Sequence, residues 1–243
     1  MISADRTLIV LPAFNEQQSL PAVLAEVSSV MASADLLVID DGSTDRTSAV
    51  ANRAGVDVVT LPFNLGVGGA LRAGFRYAVR YGYRQMVQVD ADGQHDPREI
   101  PNLLRPLDRA DLVIGARFAG RGGYEVDRAR KLAMNVLARS LSRRTHAVLT
   151  DTTSGFRAFG PRAIALFARE YPAEYLGDTV EALLMAAREN LSVVQVPVVM
   201  RARTGGTPSH SAISSALLLA RTLPAFVLPH PRVHSAPQGQ DAR

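Results

Sequence analysis

The 243-residue chain has no cysteine, no tryptophan and a single lysine, Lys131. Without thiols it can form neither a disulfide nor a thiolate metal centre. With one lysine, 26 of its 27 basic residues are arginine, whose planar forks suit phosphate oxygens. The net charge is only +4, and neither a basic block nor an aromatic–basic alternation points to nucleic acid. No apolar run reaches the roughly 18 residues needed to span a bilayer. Met1-Ile-Ser-Ala-Asp-Arg6 carries no signal-peptide pattern. These two absences predict a protein kept in the cytoplasm. Also missing are G-x-G-x-x-G directly after the first strand and G-x-x-x-x-G-K-[ST], so a Rossmann dehydrogenase and a P-loop NTPase are both disfavoured. What is present is ordinary for a globular protein, 47% hydrophobic and 21% charged, with length for one large domain or one domain and an appendage.

The stretch from Val87 to Pro97 organises the rest. Met86, Val87 and Val89 read as a strand that stops at two carboxylates, Asp90 and Asp92. Gly93 permits a tight turn, and Pro97 suits the first position of a helix, with Asp96 as its N-cap. Acids at a strand end before a helix lie where open α/β sheets bind ligands. The chemistry fits a hard divalent cation shared with a diphosphate, because Mg2+ and Mn2+ prefer oxygen ligands. Asp90, Asp92 and Gln94 are the candidate residues.

Taken in order, Thr7 to Ala13 is a continuous apolar run, as a buried parallel strand requires, and Pro12-Ala-Phe-Asn15-Glu16 ends it. Ser19 to Met31 has helical spacing. Leu36 to Ser43 is a second strand ending in Asp40, Asp41 and Gly42, followed by a helix over Asp45 to Ala54. Val56 to Leu61 is a third strand. The Asn64 to Ala70 glycine loop feeds a helix ending near Tyr81, and it reads equally as a tight turn for helix–sheet packing or as a ligand contact. A helix over Pro97 to Leu107 and a strand over Asp111 to Arg117 follow, and Leu191 to Met200 is a last strand with Pro197 suiting an edge. Strand and helix alternate through the first half. The expected fold is therefore α/β: a mostly parallel sheet with helices on both faces.

These motifs carry a resemblance. Pro12-Ala-Phe-Asn15-Glu16, Ile39-Asp40-Asp41-Gly42-Ser43-Thr44-Asp45, Asn64-x-Gly66 and Asp90-Ala91-Asp92-Gly93-Gln94-His95 resemble the successive motifs of family 2 glycosyltransferases with the GT-A fold. Asp151-Thr-Thr-Ser154-Gly155-Phe156-Arg157 and Val196-Pro197 followed by Arg203-x-Gly205-Gly206 and Ser209 resemble the polyprenol-phosphate sugar transferase branch, related to dolichol-phosphate mannose synthases. The resemblance covers residues 7 to 209. It implies that Asp40 or Asp41 binds the nucleoside, Asp41 being preferred, and that Pro12, Ala13, Asn15 and Glu16 line the same cleft. It implies Asp92 and Gln94 as ligands of Mg2+ or Mn2+, with Asp90 and Ala91 at the donor sugar or ribose. Arg203 would add positive charge at the leaving group. Arg117 and Arg130 would grip a lipid phosphate, with Ser154 and Arg157 framing the diphosphate or the acceptor pocket. Asp178 and Glu181 would position sugar or acceptor, or else simply form an acidic first turn of a helix.

The resulting expectation is an inverting, metal-dependent transfer of a hexose from a GDP- or UDP-sugar to a polyprenyl monophosphate. Residues 1–210 would form the catalytic domain, 211–229 an amphipathic helix at a membrane surface or on a small membrane partner subunit, and 230–243 a disordered tail. Peripheral association with the inner face of the cell membrane follows, and a homo-oligomer is left open. The rivals are transfer to a saccharide or protein hydroxyl, a sugar-1-phosphate nucleotidyltransferase, and an inactive sugar-nucleotide scaffold. A processive synthase is disfavoured, because its Q-x-x-R-W motif needs the missing tryptophan.

Overall fold

The computed structural model describes residues 6–117, 149–172 and 177–202, without the side chains of residues 117, 177 and 178. The expected loop and helix over 118–148, Arg130, Arg203, the amphipathic helix over 211–229 and the tail over 230–243 lie outside these residues. All described residues belong to one compact unit, Met1–Ser209.

The strands are β1 (Thr7–Ala13), β2 (Asp35–Asp40), β3 (Asp57–Thr60), β4 (Gln85–Gln88), β5 (Leu112–Arg117), β6 (Arg157–Phe159) and β7 (Val193–Val198). They form one sheet in the order β3-β2-β1-β4-β6-β5-β7. The pairs β2–β3, β1–β2, β1–β4 and β5–β7 are parallel. β6 alone runs antiparallel, pairing with β4 on one side and β5 on the other. The helices are α1 (Leu20–Val30), α2 (Thr47–Arg53), α3 (Gly66–Arg80), α4 (Ile100–Leu104), α5 (Pro161–Glu170) and α6 (Gly177–Arg188). The single helix expected over Pro97 to Leu107 is instead a short α4 between 3-10 turns at Pro97–Glu99 and Arg105–Asp108. Pro101 and Pro106 explain the break, because each lacks an amide to donate along the helix.

The sheet is buried on both faces, which is why its central strands read as unbroken apolar runs. Alternate residues of β1 serve opposite layers. Ile9 and Leu11 join Leu20, Val23, Leu24 and Val27 of α1 and Ile100 and Leu103 of α4 in one core cluster. On the other face α3 packs against β1, β2 and α5. There Phe75 meets Phe159 edge-on at 4.8 Å and lies 5.3 Å from Phe167 and 5.1 Å from Tyr171. The approach of α3 to β1 depends on Gly74. A Cβ built there would sit 2.8 Å from Cγ1 of Val10, which is fully buried and β-branched and so cannot swing away.

Gly74→Ala is therefore expected to destabilise the domain by about 1–3 kcal/mol, despite the better helix propensity of alanine. Denaturant unfolding of the single variant, of Val10→Ala and of the double variant checks this. The double variant should lose less than the sum of the two.

Candidate active site

The carboxyl ends of β1, β2 and β4 lie on one edge of the sheet, because the strands are parallel and adjacent. The exit loops of β1 and β2 are stitched together by the polar side chains that the sequence places there. Asn15 leaves β1 at a positive φ of 57°, a conformation asparagine tolerates. Its amide donates to the Ser43 hydroxyl at 2.9 Å, and its Oδ1 accepts the Thr44 amide at 2.9 Å. The Glu16 amide donates to Thr47 Oγ1, and the Ser19 hydroxyl donates to the Glu16 carboxylate. The Pro12–Glu16 turn and the Asp40–Thr47 turn are thus bonded to each other.

Asp40 and Asp41 are both buried, at 2% and 4% exposure, and they are bound differently. Asp40 accepts the Ser43 amide on Oδ1 and the Ser48 hydroxyl on Oδ2, so its carboxylate closes its own turn. Asp41 accepts the Leu65 amide at 2.7 Å, at the start of α3. Burial pushes the Asp41 carboxyl above its ordinary value, against the opposing pull of the Leu65 and Gly66 amides. Gly42, at a φ of +72°, lets the loop after β3 close down. A Cβ there would meet the Phe63 backbone at 2.7 Å.

The turn after β4 holds the paired acids. Ala91 is buried and Gly93 turns at a φ of +80°. Asp92 is 8% exposed, and its Oδ1 accepts the Gln94 amide at 2.9 Å. The Asp90 carboxylate is one-third exposed and lies between Gln88 Nε2 at 3.4 Å and His95 Nε2 at 3.3 Å. His95 is itself fixed: Nδ1 accepts the Asp90 amide at 3.0 Å, and the ring stacks on Phe156 with centroids 4.5 Å apart. Accepting on Nδ1 leaves Nε2 to carry the ring proton toward Asp90. Asp96 caps the 3-10 turn at Pro97, as expected, by accepting the Arg98 amide. Bonds from Arg98, then from Arg201, hold its carboxyl down at about 2, against the effect of burial.

Among the described residues no three His, Cys, Asp or Glu side chains group into a cage for a metal ion. The oxygen set of this turn nevertheless fits Mg2+ or Mn2+. Such an ion needs only one or two protein carboxylates when diphosphate oxygens and water complete its shell.

The segment around β6 requires a correction. Arg157 was expected to frame the diphosphate or acceptor pocket, but it is fully buried. Its guanidinium donates to the carbonyls of Ser154, Thr179 and Thr152 at 2.8, 3.2 and 3.1 Å. The Ser154 hydroxyl, also expected at the acceptor, is buried and accepts the Phe156 amide. Asp151 orders Thr153, which follows it, through the amide and hydroxyl of that residue. It is Gly155 that reaches the acidic turn. A Cβ there would lie 3.1 Å from Gln88 Nε2 and 3.6 Å from both Asp90 oxygens.

Arg117 ends β5 and Asp178 falls in the first turn of α6, and neither side chain is among those described. Glu181, also on α6, is exposed. Three contributors escaped the sequence reading: Gln88, His95 and Arg201. The signals were a glutamine inside an apolar strand, a histidine in the acidic motif, and an arginine two places before Arg203.

Among the described residues, a seven-stranded sheet with one antiparallel insertion and acidic turns at its carboxyl edge defines a glycosyltransferase of the GT-A fold. The chain belongs to glycosyl transferase family 2, whose family model matches residues 8–176. It is 37% identical over 203 residues to the undecaprenyl-phosphate mannosyltransferase of Micrococcus luteus, covering 79% of this chain and 82% of that one. It is 32% identical over 221 residues to the polyprenol monophosphomannose synthase of Mycolicibacterium smegmatis, covering 85% and 82%. These relatives place it in the polyprenol-phosphate sugar transferase branch. In fold it is similar to glucosyl-3-phosphoglycerate synthase from Mycobacterium tuberculosis in complex with phosphoglyceric acid. That match has a TM-score of 0.69 and 24% identity, covering 93% of this chain and 79% of that one. A second structure of that synthase, with Mn2+, uridine diphosphate and phosphoglyceric acid, gives a TM-score of 0.67 at 22% identity over 93% and 78% of the two chains.

Arg157→Met is expected to lower stability by about 2–5 kcal/mol, because three backbone carbonyls, two of them buried, lose their donor. Thermal unfolding should show the loss whether or not a substrate is present. A variant of full stability with weakened acceptor binding would restore Arg157 to the acceptor site.

Proposed function

We propose that the enzyme transfers a hexose from a GDP- or UDP-sugar to a polyprenyl monophosphate, with inversion at the anomeric carbon. The observation that carries this reading is the acidic Asp90–Gln94 turn, at the same edge of the sheet as the Asp41 loop, in a chain 37% identical to an undecaprenyl-phosphate mannosyltransferase. Asp41 and the Asn15–Glu16 turn bind the nucleoside, and Asp90 contacts the donor sugar or ribose. Asp92 and Gln94 hold Mg2+ or Mn2+, which neutralises the departing diphosphate. Arg203 adds charge at the same leaving group, and Arg117 and Arg130 bind the lipid phosphate by bidentate pairing. A phosphate monoester is largely ionised at pH 7 and attacks the anomeric carbon through an oxygen already deprotonated, so no strong general base is needed. Asp178 and Glu181 then serve to position the substrates.

This assignment places the reaction at a membrane surface. No described helix is long and apolar enough to cross a membrane. Contact by residues 211–229, with lipid or with a small membrane partner subunit, belongs to the same proposal, and liposome flotation tests it.

The decisive experiment measures nucleoside diphosphate release from a panel of GDP- and UDP-sugars, with and without Mn2+ or Mg2+ and a short polyprenyl phosphate. Release should need both metal and lipid phosphate. Asp92→Ala/Gln94→Ala should lower it by at least about 100-fold, as loss of metal ligation implies. Release with a saccharide acceptor alone would replace the reading with hydroxyl transfer. Nucleotide binding without turnover under any condition would replace it with a sugar-nucleotide scaffold.

A further inference from the structure

The acidic turn is gripped from outside by the chain that leaves β7. The Arg201 amide donates to the Gln94 carbonyl at 2.9 Å, and Met200 forms an antiparallel bridge with His95. The Arg201 side chain then reaches two further elements. Its guanidinium bonds both oxygens of Glu26 on α1, at 2.7 and 2.6 Å, and Oδ1 of Asp96 at 2.7 Å. One residue thereby ties the exit of β7 to α1 and to the far end of the acidic turn.

The three tied elements differ in rigidity. α1 is anchored by Leu20, Val23, Leu24 and Val27, all in the core. The turn is a six-residue excursion, Asp90 to His95, between the end of a strand and a capped 3-10 turn. It is held from within by the Gln94 amide on Asp92 and by His95 on Asp90. Arg201 adds the missing outer contact, and does so at Gln94 and Asp96, on either side of His95.

We propose that Arg201 is a positioning residue for the metal-bearing turn: through Glu26 and Asp96 it holds Asp92 and Gln94 in the geometry that takes Mg2+ or Mn2+ with a nucleoside diphosphate. The inference rests on the functional reading above. Its physical ground is that few protein ligands hold the ion, so each must be placed closely before it arrives. Residues that orient metal ligands without touching the metal typically change affinity 10–100-fold when lost.

The fold should survive removal of Arg201. Asp96 keeps its fork to Arg98, at 2.7 Å from Nη2 and 3.0 Å from Nε, so no buried charge is stranded. Glu26 is about one-third exposed and can turn to water. A part-exposed pair such as Arg201–Glu26 adds little to stability. Lysine cannot replace the fork, because one ammonium cannot span both Glu26 oxygens and Asp96 together.

The test compares wild type with Arg201→Ala, Arg201→Lys and Glu26→Gln. Two readouts are used: Mn2+-dependent binding of GDP and UDP by calorimetry, and amide exchange at residues 93–98 in metal-free protein. Arg201→Ala should raise the Mn2+ concentration for half-maximal nucleotide binding at least about ten-fold. It should also speed exchange in the turn at least ten-fold, with β1 and β2 amides unchanged. Arg201→Lys and Glu26→Gln should fall between it and wild type. Unchanged Mn2+ dependence and exchange in folded Arg201→Ala would overturn the inference. So would a general loss of stability with the Mn2+ dependence of Glu26→Gln unaltered. Wild type that binds neither nucleotide with Mn2+ would instead overturn the functional reading, while the exchange result would still judge the clasp.

Discussion

Burial of carboxylates at one edge of the sheet is the constraint on which the rest of the site depends. Asp40, Asp41, Asp92 and Asp96 are each under a tenth exposed. A buried carboxylate is tolerated only when its oxygens are bonded. Here the donors come largely from neighbouring backbone: Ser43 for Asp40, Leu65 for Asp41, Gln94 for Asp92 and Arg98 for Asp96. The acids therefore shape the loops as much as they await a ligand. Asp41 is the clearest case, since its bond to the start of α3 fixes the third loop against the second.

The antiparallel strand β6 solves a different problem. β4 and β5 run in the same direction with β6 between them, and the short strand fills the gap with Arg157, Ala158 and Phe159. A guanidinium in the interior is expensive unless its hydrogens are matched. Carbonyls from Thr152, Ser154 and Thr179 match them, binding the loop before β6 to the first turn of α6. The reward is placement. Gly155 comes to lie against Gln88 and Asp90, where any side chain would crowd the acidic turn.

The sequence was most readable where burial is uniform. β1 and β2 are continuous apolar runs, and their ends fall close to where glycine, asparagine and aspartate change the pattern. β6 was unreadable for a physical reason. Three residues led by an arginine make no apolar run, and their strand state exists only because β4 and β5 flank them. The same arginine, beside serine and glycine, looks like a phosphate site in sequence, because composition does not reveal burial. The supports of Asp90 were hidden too: Gln88 and His95 act through contacts that need the folded turn. The Asp96 cap was legible because capping is local, whereas its pairing with Arg201 spans 105 positions.

The two sides of the acidic turn differ in charge. On the outer side Asp96 faces two arginines, Arg98 and Arg201. On the inner side Asp90 meets an amide and an imidazole whose Nδ1 accepts a backbone proton, and Asp92 meets a backbone amide. A fixed guanidinium beside Asp90 would neutralise its carboxylate. The Gln88 amide and the His95 imidazole hold the Asp90 oxygens in place without a guanidinium. Arg98 and Arg201 stand on the outer side, where they stiffen the turn from behind.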